Sequence, residues 1–218
     1  MRSGLRYRGR TAAGPLHAAP KVMRCIALLL CLALAPLANA YTPEDGDIVF
    51  HTSTSSQSAA VQAATGSRYS HMGMVLLREG RPYVLEAVQP VRYTPLQAWL
   101  QRGLEGRYVI KRTTTPLGPA DKQRLHAAAA PYIGRPYDLT FEWSDQRIYC
   151  SELVWKLYRD AAGIELAPLA RLDSFNLQTP AVRSKLRERY GNRIPLAEPV
   201  ISPAAIFDSP LLMTVAQH

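Results

Sequence analysis

The sequence predicts an α+β domain in which an antiparallel sheet packs against a helix that carries a lone cysteine at its N-terminus. Three observations predict it. Two runs rich in apolar and β-branched residues, His71 to Leu77 and Tyr83 to Val88, are joined by the short connection Arg78-Glu79-Gly80-Arg81, so they pair as a hairpin. A third run, Tyr108 to Arg112, has the composition of a further strand and is expected to be a third partner beside the hairpin. Finally, Leu153, Val154, Leu157, Tyr158 and Ala161 recur at helical spacing between Cys150 and the stop residue Gly163.

Taken in chain order, Asp47 to His51 reads as a short strand after a turn at Gly46, and Gln57 to Ala64 as a short helix stopped by Gly66. The hairpin and the run at 108–112 follow. Pro119 to Ile133 has helix composition and ends at Gly134-Arg135-Pro136. The helix begun by Cys150 comes next, then a helix near Val182 to Tyr190 and a Pro-rich tail expected to wrap the core. No repeat or long linker interrupts residues 41–218, which read as one domain.

The 218 residues carry 26 Lys+Arg against 17 Asp+Glu, a formal charge of +9. A composition of 47% hydrophobic and 20% charged residues excludes a disordered, collagenous or multispan membrane protein. The charge excess would suggest a nucleic-acid partner, but much of it lies in one place. Residues 1–40 contain Arg2, Arg6, Arg8, Arg10, Lys21 and Arg24 and no acid. Within them the apolar run Cys25 to Leu37 is followed by Ala38-Asn39-Ala40, the pattern of a secretory signal cut after Ala40. Met23-Arg24 makes an ordinary basic start for such a signal, so translation is expected to begin at Met23. The run is too short to span a bilayer, which takes about 20 residues, and Leu30 occupies the place where lipid attachment at Cys31 needs a small residue. Taking the six leader cations from 26 leaves 20 against 17, a formal +3. The expectation is an exported domain, periplasmic or secreted, with no nucleic-acid partner and no stable membrane anchor.

Export leaves Cys150 as the only cysteine. Free cysteines are among the most buried residues, so a core role is one reading. The other is a nucleophile, since the unpaired N–H groups of a helix start stabilise a thiolate. A base would separate the two. Of His51, His71, His126 and His218, the last is terminal and His126 lies on a polar-flanked helix, whereas His71 opens a strand at the rim where a cleft residue would sit. If Glu79-Gly80 forms a two-residue turn, Glu86 falls opposite Gly73, on the face that carries His71. Gly73 leaves room for the carboxylate to lean across, and an acid amid Val84-Leu85-Glu86-Ala87-Val88 needs a partner. Cys150, His71 and Glu86 would then serve as nucleophile, base and orienting group for covalent acyl transfer. The Cys150 N–H would help to bind the oxyanion. No H-E-x-x-H, C-x-x-C, phosphate loop or G-x-S-x-G elbow competes, and no cofactor or metal is expected.

Cys150-Ser151-x-Leu153-Val154 resembles the nucleophile motif of NlpC/P60 cysteine peptidases, and Gly46 to Phe50 and His71-x-Gly73-Met74-Val75 resemble the strand and histidine motifs of the same family. Their order here, histidine before cysteine, resembles the circularly permuted branch of YiiX/YaeF-like proteins and lecithin–retinol acyltransferases. The likeness continues through Gln57-Ser58, Tyr69-Ser70, Tyr93 to Leu96, Gly134 to Asp138, Trp143 to Asp145 and Tyr149 to Glu152. It implies a circularly permuted papain-like (NlpC/P60) α+β fold, with Cys150 as nucleophile, His71 as base and Glu86 as third member, where ordinary members use a histidine or an amide. It also puts Tyr137, Tyr149 and Ser70 near the substrate, although either tyrosine could equally be a core aromatic. The expected activity is that of a cysteine hydrolase of the amidase or peptidase type, acting on a peptide or amide substrate derived from the cell wall. A lipid acyltransferase or thioesterase with the same triad, favoured by a long apolar groove, and a non-catalytic envelope binding module stay open beside it.

Overall fold

A computed structural model describes residues 41–218, which form one compact unit. The expectations for the leader, including Met23 and cleavage after Ala40, lie outside the described residues. Eight strands and six α-helices follow in the order β1 (Ile48–His51), α1 (Ser58–Thr65), β2 (His71–Arg78), β3 (Arg81–Glu86), β4 (Arg92–Pro95), α2 (Leu96–Leu100), β5 (Val109–Thr113), α3 (Pro119–Ala129), α4 (Cys150–Ala162), β6 (Ala170–Arg171), α5 (Pro180–Tyr190), β7 (Pro199–Val200), α6 (Pro203–Phe207) and β8 (Leu212–Gln217). Six strands make one antiparallel sheet in the order β4-β3-β2-β1-β5-β8, and β6 pairs with β7.

The β2–β3 hairpin sets the geometry of the site. Glu79 and Gly80 both have positive φ, 51° and 74°, as a tight two-residue turn of this hand requires. The ladder then runs Arg78 with Arg81, Leu76 with Tyr83 and Met74 with Leu85, the register that the turn predicts. Strand alternation divides the sheet's two faces. Ile48, Phe50, Met72, Met74 and Leu85 face a core shared with α3 and α4, while Val49, Val75, Val84 and Ile110 pack on Leu96, Trp99 and Leu100 of α2. A third, smaller cluster joins α1 to α5 through Ala60, Val182 and Leu186.

Three parts of the sheet differ from expectation. β5 pairs with β1 and β8 and not with the hairpin, because β1 takes the place beside β2. β4 extends the other edge. The tail supplies β8, an edge strand with so little burial (Leu212 buried, Met213 and Thr214 exposed) that no alternation marks it. α5 starts two residues early, at Pro180, because Thr179 caps it by accepting from the Val182 N–H at 3.4 Å, a contact typically worth about 1 kcal/mol.

Candidate active site

Cys150 is the first residue of α4 and is 5% exposed. The chain before it is fixed from both sides. The Tyr149 hydroxyl accepts from the Ile201 N–H at 3.1 Å, the Ser151 hydroxyl donates to the Ile201 carbonyl at 2.8 Å, and Glu152 Oε2 accepts from the Tyr149 N–H at 3.4 Å. Helix N-terminal N–H groups have no acceptor within the helix, so this anchored turn presents its backbone donors and dipole at the thiol.

His71 opens β2, and its Nε2 lies 2.9 Å from Glu86 Oε2. Glu86 is wholly buried. Besides the histidine, Oε2 accepts from Trp99 Nε1 at 2.9 Å and Arg102 Nη2 at 2.5 Å, and Oε1 accepts from Thr94 Oγ1 at 2.6 Å. Burial alone would raise this carboxyl, but His71, Thr94 and Arg102 outweigh it and hold Glu86 near 2. Burial likewise opposes a charged His71, yet the neighbouring Cys150 and Glu86 raise it to about 9. The ring is therefore an imidazolium at neutral pH. Gly73 permits this geometry: a Cβ there would come within 2.5 Å of Val84 Cγ1 and 2.8 Å of the Leu85 carbonyl, forcing β2 and β3 apart beside Glu86.

The other histidines have separate places. His51 pairs across the sheet with His71 and stacks on Trp99 with ring centroids 4.1 Å apart. Burial, then His71 and Arg102, push it down to about 3, so it stays neutral. His126 pairs with Asp45 at 3.0 Å, and His218 lies beside Tyr108.

Of the residues expected at the substrate, the Tyr137 hydroxyl accepts from Gln57 Nε2 at 3.0 Å, and Gln57 Oε1 accepts from Arg189 Nη2 at 2.6 Å. Burial and then the charge of Cys150 raise Tyr137 above the ordinary phenol range, which marks its closeness to the thiol. Among the described residues its own O–H meets no acceptor. The Ser70 hydroxyl is engaged with the Ser53 N–H at 2.9 Å and the Ser58 hydroxyl at 2.6 Å, fastening the loop before α1. Tyr149 is 2% exposed and sits edge-on to Phe141. Sequence reasoning missed Trp99 and Arg102 beside Glu86 and Arg189 behind Tyr137, and it gave Thr94 and Gln57, which fall within the family likeness, no role at the site. No spacing relates Trp99 or Arg102 to a strand thirteen and sixteen residues away.

Two openings reach the site. One is an apolar cavity between α1 and α5 that ends at Cys150. The other is a cleft of mixed character lined by residues 53–57, Ala87, Val88, Gln89, Arg102, Leu139 and His71.

The family model of the permuted papain-like amidase enzymes (YaeF/YiiX, C92 family) matches residues 42–216. The YiiX protein of Escherichia coli K12 is 49% identical over 191 residues, which cover 88% of this chain and 95% of that protein. The crystal structure of YiiX from Escherichia coli O157:H7, described as a metalloprotein, superposes with a TM-score of 0.80 at 50% identity, covering 82% of this chain and 99% of that one. A match over nearly all the described residues, in a chain whose sheet and helices have the expected α+β arrangement, makes this protein a member of the permuted papain-like amidase family, a family of cysteine hydrolases.

Proposed function

We propose that Cys150, His71 and Glu86 are nucleophile, base and orienting carboxylate, and that the protein hydrolyses an amide through a thioester acyl-enzyme. The observation that carries this reading is one imidazole lying between a helix-start cysteine and a buried carboxylate that also accepts hydrogen bonds from Thr94, Trp99 and Arg102. Cys150, as thiolate, attacks the carbonyl carbon. The negative charge that develops on the oxygen is met by the Cys150 N–H and by the Tyr137 O–H, whose oxygen is already occupied by Gln57. The C–N bond then breaks, and the amine leaves with the proton of His71. Water next loses a proton to His71 and attacks the thioester, the S–C bond breaks and the acid departs. Glu86 stays ionised throughout and fixes the ring, as expected of a third member.

The metal described for the Escherichia coli structure does not fit this site. His71 directs Nε2 to Glu86 and holds its proton to about pH 9, and among the described residues no three His, Cys, Asp or Glu side chains gather as a ligand set. No step is routed through a metal.

We propose further that the protein acts after export, on an amide of the cell envelope, with cell-wall peptides as the class that the resemblance supplies. The composition of residues 1–40 supports export, and N-terminal sequencing of the protein recovered outside the cytoplasm should start at Tyr41. The same triad would serve a thioesterase or an acyltransferase, and the apolar cavity beside Cys150 favours that second reading. Turnover of an amide by the full chain tests the first: Cys150→Ala should lower it on the order of 10⁵-fold, and amide turnover retained in that variant would refute it.

A further inference from the structure

We propose that His51 positions the hydrolytic water, holding it by Nε2 beside His71 when the thioester is cleaved. This rests on the triad reading above. His51 ends β1 as His71 opens β2, and the two are direct cross-strand partners. Strand alternation puts both on the sheet face that packs on α2. Their ring centroids are 5.3 Å apart, with the planes inclined by 36°. His71 carries the proton transfers, and His51 has no part in them.

Packing encloses most of the His51 side chain, which is 3% exposed. Its ring stacks on Trp99, with centroids 4.1 Å apart and planes 15° from parallel. Gly103, in the turn after α2, lets the backbone lie against it: a Cβ there would come within 3.1 Å of His51 Cβ. Nδ1 is buried and has no hydrogen-bond partner among the described residues. His51 nevertheless lines the cleft that His71 and Arg102 also line, so the edge it brings there is the one that carries Nε2. Buried polar groups are as a rule paired, and a histidine held this closely without a protein partner is accounted for if its open edge binds a ligand. The ring is neutral, since burial, His71 and Arg102 all oppose a charge on it. A neutral imidazole nitrogen either donates or accepts, and water meets it in either tautomer.

The order of the reaction brings water to this edge. His71 lines the cleft and Cys150 does not, so the amine that takes its proton from His71 leaves by the cleft, and water enters the place it vacates. The water gives one proton to His71 as its oxygen bonds to the thioester carbon. The S–C bond then breaks, and the sulfur leaves as thiolate. His51 neither gains nor loses a proton. It holds the water at a second point, so that less orientational freedom remains to be lost in the attack. Acylation needs no water, so removal of Nε2 should slow deacylation and spare acylation.

The test separates these two halves in the full chain. With nitrophenyl acetate, acylation is read as the release of nitrophenolate in a single turnover. Deacylation is the loss of the acetyl mass from the Cys150 peptide after the ester is removed. His51→Phe keeps a flat ring against Trp99 and removes both nitrogens. It should slow deacylation at least about tenfold, the effect of one lost hydrogen bond, and leave acylation within about threefold, which also shows that the variant is folded. His51→Gln, whose carboxamide again offers a hydrogen-bonding group to the cleft, should return deacylation to within about threefold of the native rate. Equal slowing of both halves in His51→Phe, or a loss of deacylation that His51→Gln does not recover, would assign His51 to packing and overturn the inference. An unchanged deacylation rate in His51→Phe would overturn it as well. Nitrophenolate release by the native chain without an acetyl adduct on Cys150 would overturn the triad reading instead.

Discussion

Glu86 and Glu152 are both fully buried, and their surroundings drive the two carboxyl groups in opposite directions. Glu86 meets an imidazole, an indole N–H, a guanidinium and a hydroxyl, and is held near 2. Glu152 meets the Tyr149 N–H at 3.4 Å and the Lys156 ammonium, which lies 2.8 Å from Oε1 without the alignment of a hydrogen bond. Burial outweighs these partners and raises Glu152 to about 7. Burial is thus common to both, and the donors decide the charge. A carboxylate that keeps its charge can support an imidazolium. One that takes up a proton near neutrality gives up part of the charge that favours a carboxylate at a helix start.

The largest expected effect comes from removing charge at the first of these. Glu86→Gln should lower kcat/KM by roughly 10³- to 10⁴-fold, the scale seen when a triad carboxylate becomes an amide. It should also move the alkaline limb of the pH profile. His71 is needed protonated to release the amine, so turnover should fall as pH rises through about 9, and without the Glu86 charge the limb should shift toward the ordinary histidine range. A limb that stays in place would break the comparison.

Smaller effects should follow from disturbing the cage around Glu86. Gly73→Ala places a methyl against Val84 and the Leu85 carbonyl, and a displacement of the carboxylate by about 1 Å should cost about a hundredfold in kcat. Arg102→Gln removes one charged donor, but the Arg102 side chain is 39% exposed, so solvent screening should limit the loss to roughly tenfold.

Glu152→Gln should change activity least, within about threefold, and should reveal its effect in stability. Because folding raises the pKa of Glu152 from 4.5 to about 7, the folded state holds the proton more tightly than the unfolded one. That contribution is complete below the unfolded value and is lost as pH rises through about 7. Glu86 has the opposite sign, stabilising above 4.5 and losing its contribution as pH falls toward 2. Denaturant midpoints between about pH 5 and about pH 8 should therefore decline less in Glu152→Gln than in the native chain, and parallel slopes would contradict the assignment.

The Glu86 side of this comparison was half legible in the sequence. A carboxylate in the middle of an apolar strand, with a glycine opposite, announced the need for a partner, and the Glu79-Gly80 turn fixed the register that brings His71 to it. The cage was not legible, because Trp99 and Arg102 reach Glu86 across the sheet face through α2 and the turn after it, where no local pattern carries the relation. The cap was marked only by the position of Glu152 two residues after Cys150. Its buried partner Lys156, held by Ser144 and Asp145, would by residue type have been assigned to solvent. The apolar cavity was equally hidden, since its walls come from α1, α5 and the segment at 177–201, which share no sequence period.

The central claim is that Cys150 carries the acyl group. The full chain, mixed with a nitrophenyl ester, quenched in acid and digested, should yield one peptide heavier by the acyl mass, the peptide containing Cys150, and the adduct should be missing from Cys150→Ala. Turnover that proceeds with Cys150 unmodified, or an acyl group that accumulates equally in Cys150→Ala, would contradict it.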